Sequence, residues 1–390
     1  MLKLYLRGIG LMVGMIFGAG IFVLPYIFSR SGLFWGIFHF LVAFFVILIL
    51  NFLYADVSYY TQGKHRFTGY TEIFLGKTAK HFAFTSTIVS YYGSLLVYGL
   101  LGGIFLSNFF PNSGFSPVNA SILFFVVGAI LAFFNLRKIA DINFYLTIPL
   151  FGFVVYLVLI CLPAIEPKNF LSNLHFGFNN NWFLPYGIWI FTLSGSAVIP
   201  EVRDIFSDIP IKNFKRVILI SLIACAFFSL LFGLAVWGAG NNETTEDALS
   251  GIAKVLGEKV FLIGSFIGFV AVLTSFIALA ADMRNIFRYD YKVPRSWAWL
   301  ATVVPPVVLF FLGVTDFVTT LGFVGAIGLG IGGVFTVLMA RNMRKMISGK
   351  GAENLIRLNG GECTKPSMII ETIVIVGVVA GALYEIWRLF

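Results

Sequence analysis

The residues whose spacing carries chemistry are small ones. Gly18, Ala19 and Gly20 follow Phe17 inside one apolar stretch and precede Pro25. Ser194, Gly195 and Ser196 follow Phe191 and Thr192 inside another and precede Pro200. Within a helix each Gly costs ~1 kcal/mol relative to Ala, and an interior Pro ~3 kcal/mol. Such clusters read as helix breaks, which a membrane tolerates only where the backbone faces protein or a water-filled cavity. A break offers N–H donors at the start of one half-helix, suited to a carboxylate. It offers carbonyl oxygens at the end of the other, suited to an ammonium group or a metal cation. Glycine and alanine keep side chains clear, and Ser194 and Ser196 add hydroxyls. This is binding chemistry, not bond-making chemistry. A lone Gly-x-Gly serves close helix packing equally well. The motif recurs after 176 residues (Gly18 to Ser194), near half the chain. Interrupted apolar segments at matching positions of two halves mark a transporter site between inverted repeats.

Other side chains can be placed around these breaks. Tyr91, Tyr92 and Tyr98 lie in one apolar stretch, where a hydroxyl could meet a substrate carboxylate. For any one of them, a core or interface aromatic is the stronger reading. Phe191 suits a pocket wall. Thr274 and Ser275 are adjacent hydroxyls in apolar surroundings, hard oxygen donors for a small cation. Taken alone they are better explained by bonding back to their own helix. Glu201 follows Pro200 directly and suits a structural or gating role. Arg7 or Lys3 is a candidate partner for Asp290 in closing the inner side. Asp56, Arg203, Asp282 and Asp316 complete the charges in or near apolar stretches. His39 is expected to be a hydrogen-bonded packing residue ahead of a proton relay. The chain has no HExxH, P-loop or GxSxG motif and no Cys/His cluster with metal spacing. It reads as a protein other than an enzyme, with no cofactor. Cys161, Cys225 and Cys363 lack the spacing of a disulfide framework.

The elements that hold these residues are membrane spans. The 390 residues are 59% hydrophobic and 12% charged, with a mean hydropathy of +0.92. Soluble domains carry about 25% charged residues. The chain is therefore an integral membrane protein, with the lipid bilayer as a partner. Its net charge of +9 sits in short loops, which excludes a nucleic-acid reading. Eleven spans are expected near 4–28, 33–55, 83–109, 117–134, 143–163, 182–204, 214–239, 258–282, 296–313, 316–340 and 367–389. Counted loop by loop, 22 of the 27 Lys and Arg fall on the side of the N-terminus. The asymmetry places the N-terminus in the cytoplasm and, with an odd number of spans, the C-terminus outside the cell (inner) membrane. Many spans follow the first, so a retained helix outweighs a signal peptide. The inner loop 61–80 is expected along the membrane surface, the acidic outer loop 240–259 as a short lid helix, and 348–365 as a Gly-rich inner loop. Ten spans divide into two repeats, 1–163 and 182–340, with the eleventh at 367–389. A repeat of five inverts between its copies.

Four stretches resemble a known family. GAGIFVLPY in the first span, GYTEIFLGK in the first inner loop, SGSAVIPE in the sixth span and LTSFIALAADMRNIFRYDYKVPR after the eighth are similar to the amino acid/auxin permease family. Within the amino acid-polyamine-organocation superfamily they look most like its bacterial hydroxy and aromatic amino acid permeases, the tryptophan/tyrosine branch. These motifs span about the first 300 residues, and the eleven-span plan covers the chain. The resemblance implies an all-α membrane protein with a LeuT-like fold of five plus five inverted spans and an eleventh helix. It implies secondary active uptake of neutral amino acids, aromatic ones among them, by alternating access and symport with Na⁺ or H⁺. By it, backbone at Gly18, Ala19, Gly20 and Ile21 binds the substrate's carboxylate and amino group together with the second break. Thr274 and Ser275, with the backbone of Phe17 and Gly20, match a cation site between spans one and eight. Some proton-coupled relatives place a Lys from span five there. None occurs in 143–163, which favours Na⁺. The competing reading is a non-transporting amino acid sensor on the same fold, for which neither terminus offers a signalling tail.

Overall fold

Backbone N–H and C=O groups have no water to pair with in hydrocarbon, so apolar stretches of this length fold as helices. A computed structural model describes residues 2–110, 115–134, 136–171, 174, 176–207, 209–240, 243–348 and 366–389. The helices are α1 (Leu2–Ile16), α2 (Gly20–Ser31), α3 (Leu33–Tyr60), α4 (Phe67–Leu75), α5 (Lys77–Ser107), α6 (Pro117–Ala132), α7 (Leu136–Cys161), α8 (Pro167–Leu171), α9 (Leu184–Leu193), α10 (Ile199–Ile205), α11 (Ile211–Gly240), α12 (Ala253–Leu256), α13 (Glu258–Asn285), α14 (Arg295–Phe311), α15 (Phe317–Phe323), α16 (Gly330–Ser348) and α17 (Met368–Leu389). A π-helical turn, Ile286–Asp290, extends α13, and another, Val324–Leu329, joins α15 to α16.

Among the described residues, α3, α5, α11, α13, the α15–α16 run and α17 are each long and apolar enough to cross a membrane. The pair α1 and α2 does so as one span bent by 45°. The break falls at the small triplet. Phe17 N still reaches Val13 O at 2.8 Å, but Gly18 N turns to Ile16 O at 3.0 Å. α9 and α10 have 10 and 7 residues, too short singly for a span of about 20. They join through Ser194 in an extended conformation and a single 3₁₀ turn at Ser196–Val198.

Packing repeats between the two halves. α1 lies against α7, and α9 lies against the π-helical turn between α15 and α16. α2 lies against α11, and α10 against α3. α5 and α13 run together through the centre. Each interrupted span is thereby gripped by corresponding neighbours. The outer faces carry exposed Phe45, Ile130, Phe227, Phe266 and Ile373, as a lipid-facing surface does.

α4 occupies the first inner loop, but it is inserted rather than laid on the surface. Thr68, Gly69, Tyr70, Thr71 and Phe74 are buried, and the helix packs on α5 and α16. The acidic loop carries a turn at Ser250–Ile252 and α12. Most of the Gly-rich loop, 349–365, lies outside the described residues.

Candidate functional site

The two breaks face each other at the centre of the bundle. A Cβ on Gly20 would fall 2.3 Å from Thr192 Oγ1 and 2.8 Å from Thr192 Cα. A Cβ on Gly18 would fall 2.5 Å from Ser275 Oγ, and one on Gly195 would meet Ile16 and Met12. Only glycine allows these approaches. Ala19 and Ile21 are fully buried beside them. α2 starts at Gly20 with Ala19 as its cap, a residue with no side-chain oxygen to occupy the first-turn N–H groups. α10 likewise starts without a side-chain cap.

The hydroxyls of α13 divide. Ser275 Oγ donates to Gly14 O at 2.9 Å, with Met15 O at 3.5 Å, so α13 is tied to the end of α1. Thr274 Oγ1 donates to Ala271 O of its own helix at 2.9 Å. Ser275, Gly14 and Met15 bring hard oxygens to the break, the chemistry a Na⁺ ion needs. Thr274 is turned toward its own backbone, and the Phe17 ring stands edge-on to Phe151.

Two cavities border the breaks. A small one of about 20 Å³ lies among Met15, Ser94, Tyr98, Phe191 and Leu279. A larger one of about 60 Å³ lies toward α3 and α16. Ser90, Tyr91, Ser194 and Ser196 border both. Tyr98 and Phe191 face each other with ring centroids 6.0 Å apart. The structure thus brings Tyr91, Phe191, Ser194 and Ser196 to the cavities. Thr192 and Gly18 to Ile21 sit behind it in the contact between breaks. Tyr92 turns away, its hydroxyl donating to Ala301 O of α14 at 2.5 Å.

Charged groups close the end of the bundle that holds the N-terminus. Arg66, in the loop before α4, is buried and bridges two carboxylates. Its Nη2 lies 2.6 Å from Glu201 Oε1, and its Nε 3.1 Å from Asp282 Oδ1. Asn285 Nδ2 donates to Glu201 Oε1 at 3.2 Å, and the Tyr91 hydroxyl donates to Asp282 Oδ2 at 2.7 Å. Burial works against the Arg66 charge. Glu201 and Asp282 outweigh it and hold its pKa above the ordinary value. Asp290 caps α4, accepting from Arg66 N at 3.2 Å, Thr68 Oγ1 at 2.7 Å and Gly69 N at 2.8 Å. Arg203 Nη2 donates to Thr61 O at 2.6 Å. Arg7 is half-buried on α1. Asp56 pairs with Lys215, and Glu371 of α17 pairs with Arg341 and Arg344 of α16. His39 is buried, its Nδ1 2.9 Å from Trp35 O, among the rings of Trp182, Phe183 and Tyr186.

Sequence reasoning did not single out Arg66, Asn51 or Ser90. Arg66 reads as one more inner-loop cation in the chain, and its two partners lie 135 and 216 positions further on. Asn51 was the available signal: a lone amide inside a run of Ile, Leu and Phe.

The model of the tryptophan/tyrosine permease family matches residues 1–382. No curated protein sequence matches the chain. Among solved structures, MhsT in complex with L-phenylalanine is similar at 16% identity and a TM-score of 0.73, covering 99% of this chain and 98% of that one. Mhp1, a nucleobase-cation-symport-1 family transporter solved in a closed conformation with bromovinylhydantoin bound, is similar at 13% identity and a TM-score of 0.70. It covers 99% of this chain and 91% of that one.

Proposed function

The chain belongs to the tryptophan/tyrosine permease family, and from that premise we propose that it is an ion-coupled symporter of neutral, chiefly aromatic, amino acids. Family and fold make it a multi-pass secondary transporter of a small molecule, not an enzyme. The fold is the LeuT fold, five plus five inverted spans with an eleventh helix. The amino acid is held where the breaks meet, and Na⁺ or H⁺ drives it by alternating access. The two repeats are 1–163 and 182–340, and the N-terminus is cytoplasmic in the cell membrane.

The observation that carries this reading is the contact of Gly20 with Thr192, which sets two interrupted spans face to face. Uncapped half-helix starts suit the substrate carboxylate. The uncharged, partly aromatic cavity walls suit a neutral side chain, and the similar MhsT was solved with an aromatic amino acid, L-phenylalanine, in complex. Ser275 with the Gly14 carbonyl supports Na⁺, and the buried carboxylates around Arg66 support H⁺. The test is uptake of labelled tryptophan, tyrosine and alanine into proteoliposomes, with a Na⁺ gradient or a proton gradient imposed. Uptake under one gradient names the ion. No uptake of any amino acid under either gradient overturns the proposal in favour of a sensor.

A further inference from the structure

The larger cavity lies off the contact between the breaks, in the space between α3, α5 and the glycine-rich start of α16. Its volume of about 60 Å³ is room for on the order of four to six waters. Ser90, Tyr91, Ser194 and Ser196 line both it and the smaller cavity, so the two adjoin at the second break. The wall of the larger cavity has a polar spot. Asn51, 1% exposed, lines the cavity, and no protein atom accepts a hydrogen bond from its amide nitrogen. No protein atom pairs with the hydroxyl of Ser90, 2% exposed, either. Buried polar groups are ordinarily paired, so two that no protein atom pairs on one cavity can bind water when it is empty of substrate and a polar ligand atom when it is filled. Every lining side chain is uncharged. An ionised side chain placed there would meet no charged lining residue to pair with, which is unfavourable.

We propose that this cavity is the side-chain subsite of the transporter, with Asn51 as the residue that determines specificity. The inference rests on the amino acid symporter reading above. The substrate's amino and carboxylate groups lie at the breaks, and its side chain points between α3 and α16. The ligand class is a neutral amino acid whose side chain ends in a polar atom. Asn51 provides a donor in Nδ2 and an acceptor in Oδ1. A phenol hydroxyl uses either, and an indole N–H uses the acceptor. A hydrocarbon side chain of the same size leaves Asn51 unpaired. A site built to hydrogen-bond a substrate hydroxyl rejects the analogue that lacks it far more strongly than an apolar pocket rejects an extra methylene.

Tyrosine and phenylalanine differ by that one hydroxyl, so they form the test pair. Uptake of labelled tyrosine by the full chain in proteoliposomes is competed with unlabelled tyrosine, phenylalanine and alanine. Phenylalanine should compete more than about 200-fold more weakly than tyrosine in the unaltered protein. Asn51→Leu should bring that ratio close to one. Gly332→Leu is the second variant. A Cβ there meets only Phe67, at 3.8 Å, so a side chain can grow into the cavity without forcing the backbone. It should weaken tyrosine relative to alanine by about tenfold. Wild-type ratios in both variants, or equal competition by tyrosine and phenylalanine in the unaltered protein, would overturn the assignment. If the unaltered protein takes up no amino acid at all, the symporter reading has failed, and the subsite falls with it.

Discussion

The hydroxyl of Tyr91 donates to Asp282 Oδ2 across 2.7 Å, while the ring of the same residue borders both cavities. One side chain therefore touches both cavities and also a carboxylate that shares Arg66 with Glu201. A shift of that ring on substrate binding would be felt at the charged closure. Tyr91→Phe keeps the ring and removes the donor. Leaving a buried carboxylate oxygen without its partner should cost about 1–3 kcal/mol. Thermal unfolding of the purified variant should show this loss, and cysteines introduced near Arg66 should react faster with a membrane-impermeant thiol reagent. Unchanged stability and reactivity would show that the bond couples nothing.

Arg66 is shared between two carboxylates. Arg66→Met would leave both buried without a counter-charge, a change of about 3–5 kcal/mol when one member of a buried pair is removed. Arg66→Lys should recover only part, because a point charge cannot reproduce the guanidinium fork. Combining Arg66→Met with Glu201→Gln and Asp282→Asn should restore most of the stability. If the triple variant is no more stable than the single one, charge is not what this cluster contributes. Denaturation midpoints of the four proteins decide it.

Gly20 has no room for a side chain. Even Gly20→Ala would place carbon 2.8 Å from the Thr192 backbone, and backbone cannot rotate away. The breaks must then separate, and a displacement near 1 Å at a binding site is worth about 100-fold in activity. Uptake should fall by that order while the protein still inserts. Gly377→Ala is the control, since nothing lies within 4 Å of its Cβ position. Equal uptake by the two variants would remove the breaks from the transport site.

Gly18 and Ser275 form a pair that a double-mutant cycle can isolate. Gly18→Ala collides with Ser275 Oγ at 2.5 Å, a side-chain atom that substitution removes. Gly18→Ala should lose substrate binding, and adding Ser275→Gly should recover part of it. If the two losses simply add, the residues do not touch in the working protein.

The same hydroxyl bears on the coupling ion. If Na⁺ is bound at Ser275, replacing Thr274 and Ser275 together with Ala should abolish sodium-dependent binding of labelled amino acid. Thr274→Ala alone should change little, because its hydroxyl is given to Ala271. A sodium response that survives the double change would place the ion elsewhere.

The helices and both breaks were legible because their causes are local. An apolar run of about 20 residues in a membrane has no alternative to helix. Three small residues followed by proline weaken one wherever they stand. The sequence by itself thus determined an all-helical membrane protein of two related halves, each opened by an interrupted span. The expected limits met the observed ones closely at 33 and 117, and differed most where α16 continues to Ser348. Tertiary structure decided which side chains meet. Arg66, Glu201 and Asp282 come from three segments separated by more than 80 positions, and no periodicity in one helix specifies that they converge. Tyr91 and Tyr92 are neighbours in sequence, yet about 100° of helical rotation sends one to the cavities and the other to Ala301. Thr274 and Ser275 part company for the same reason. Sequence determines what each residue can offer, and the packing of helices determines which offers are taken up.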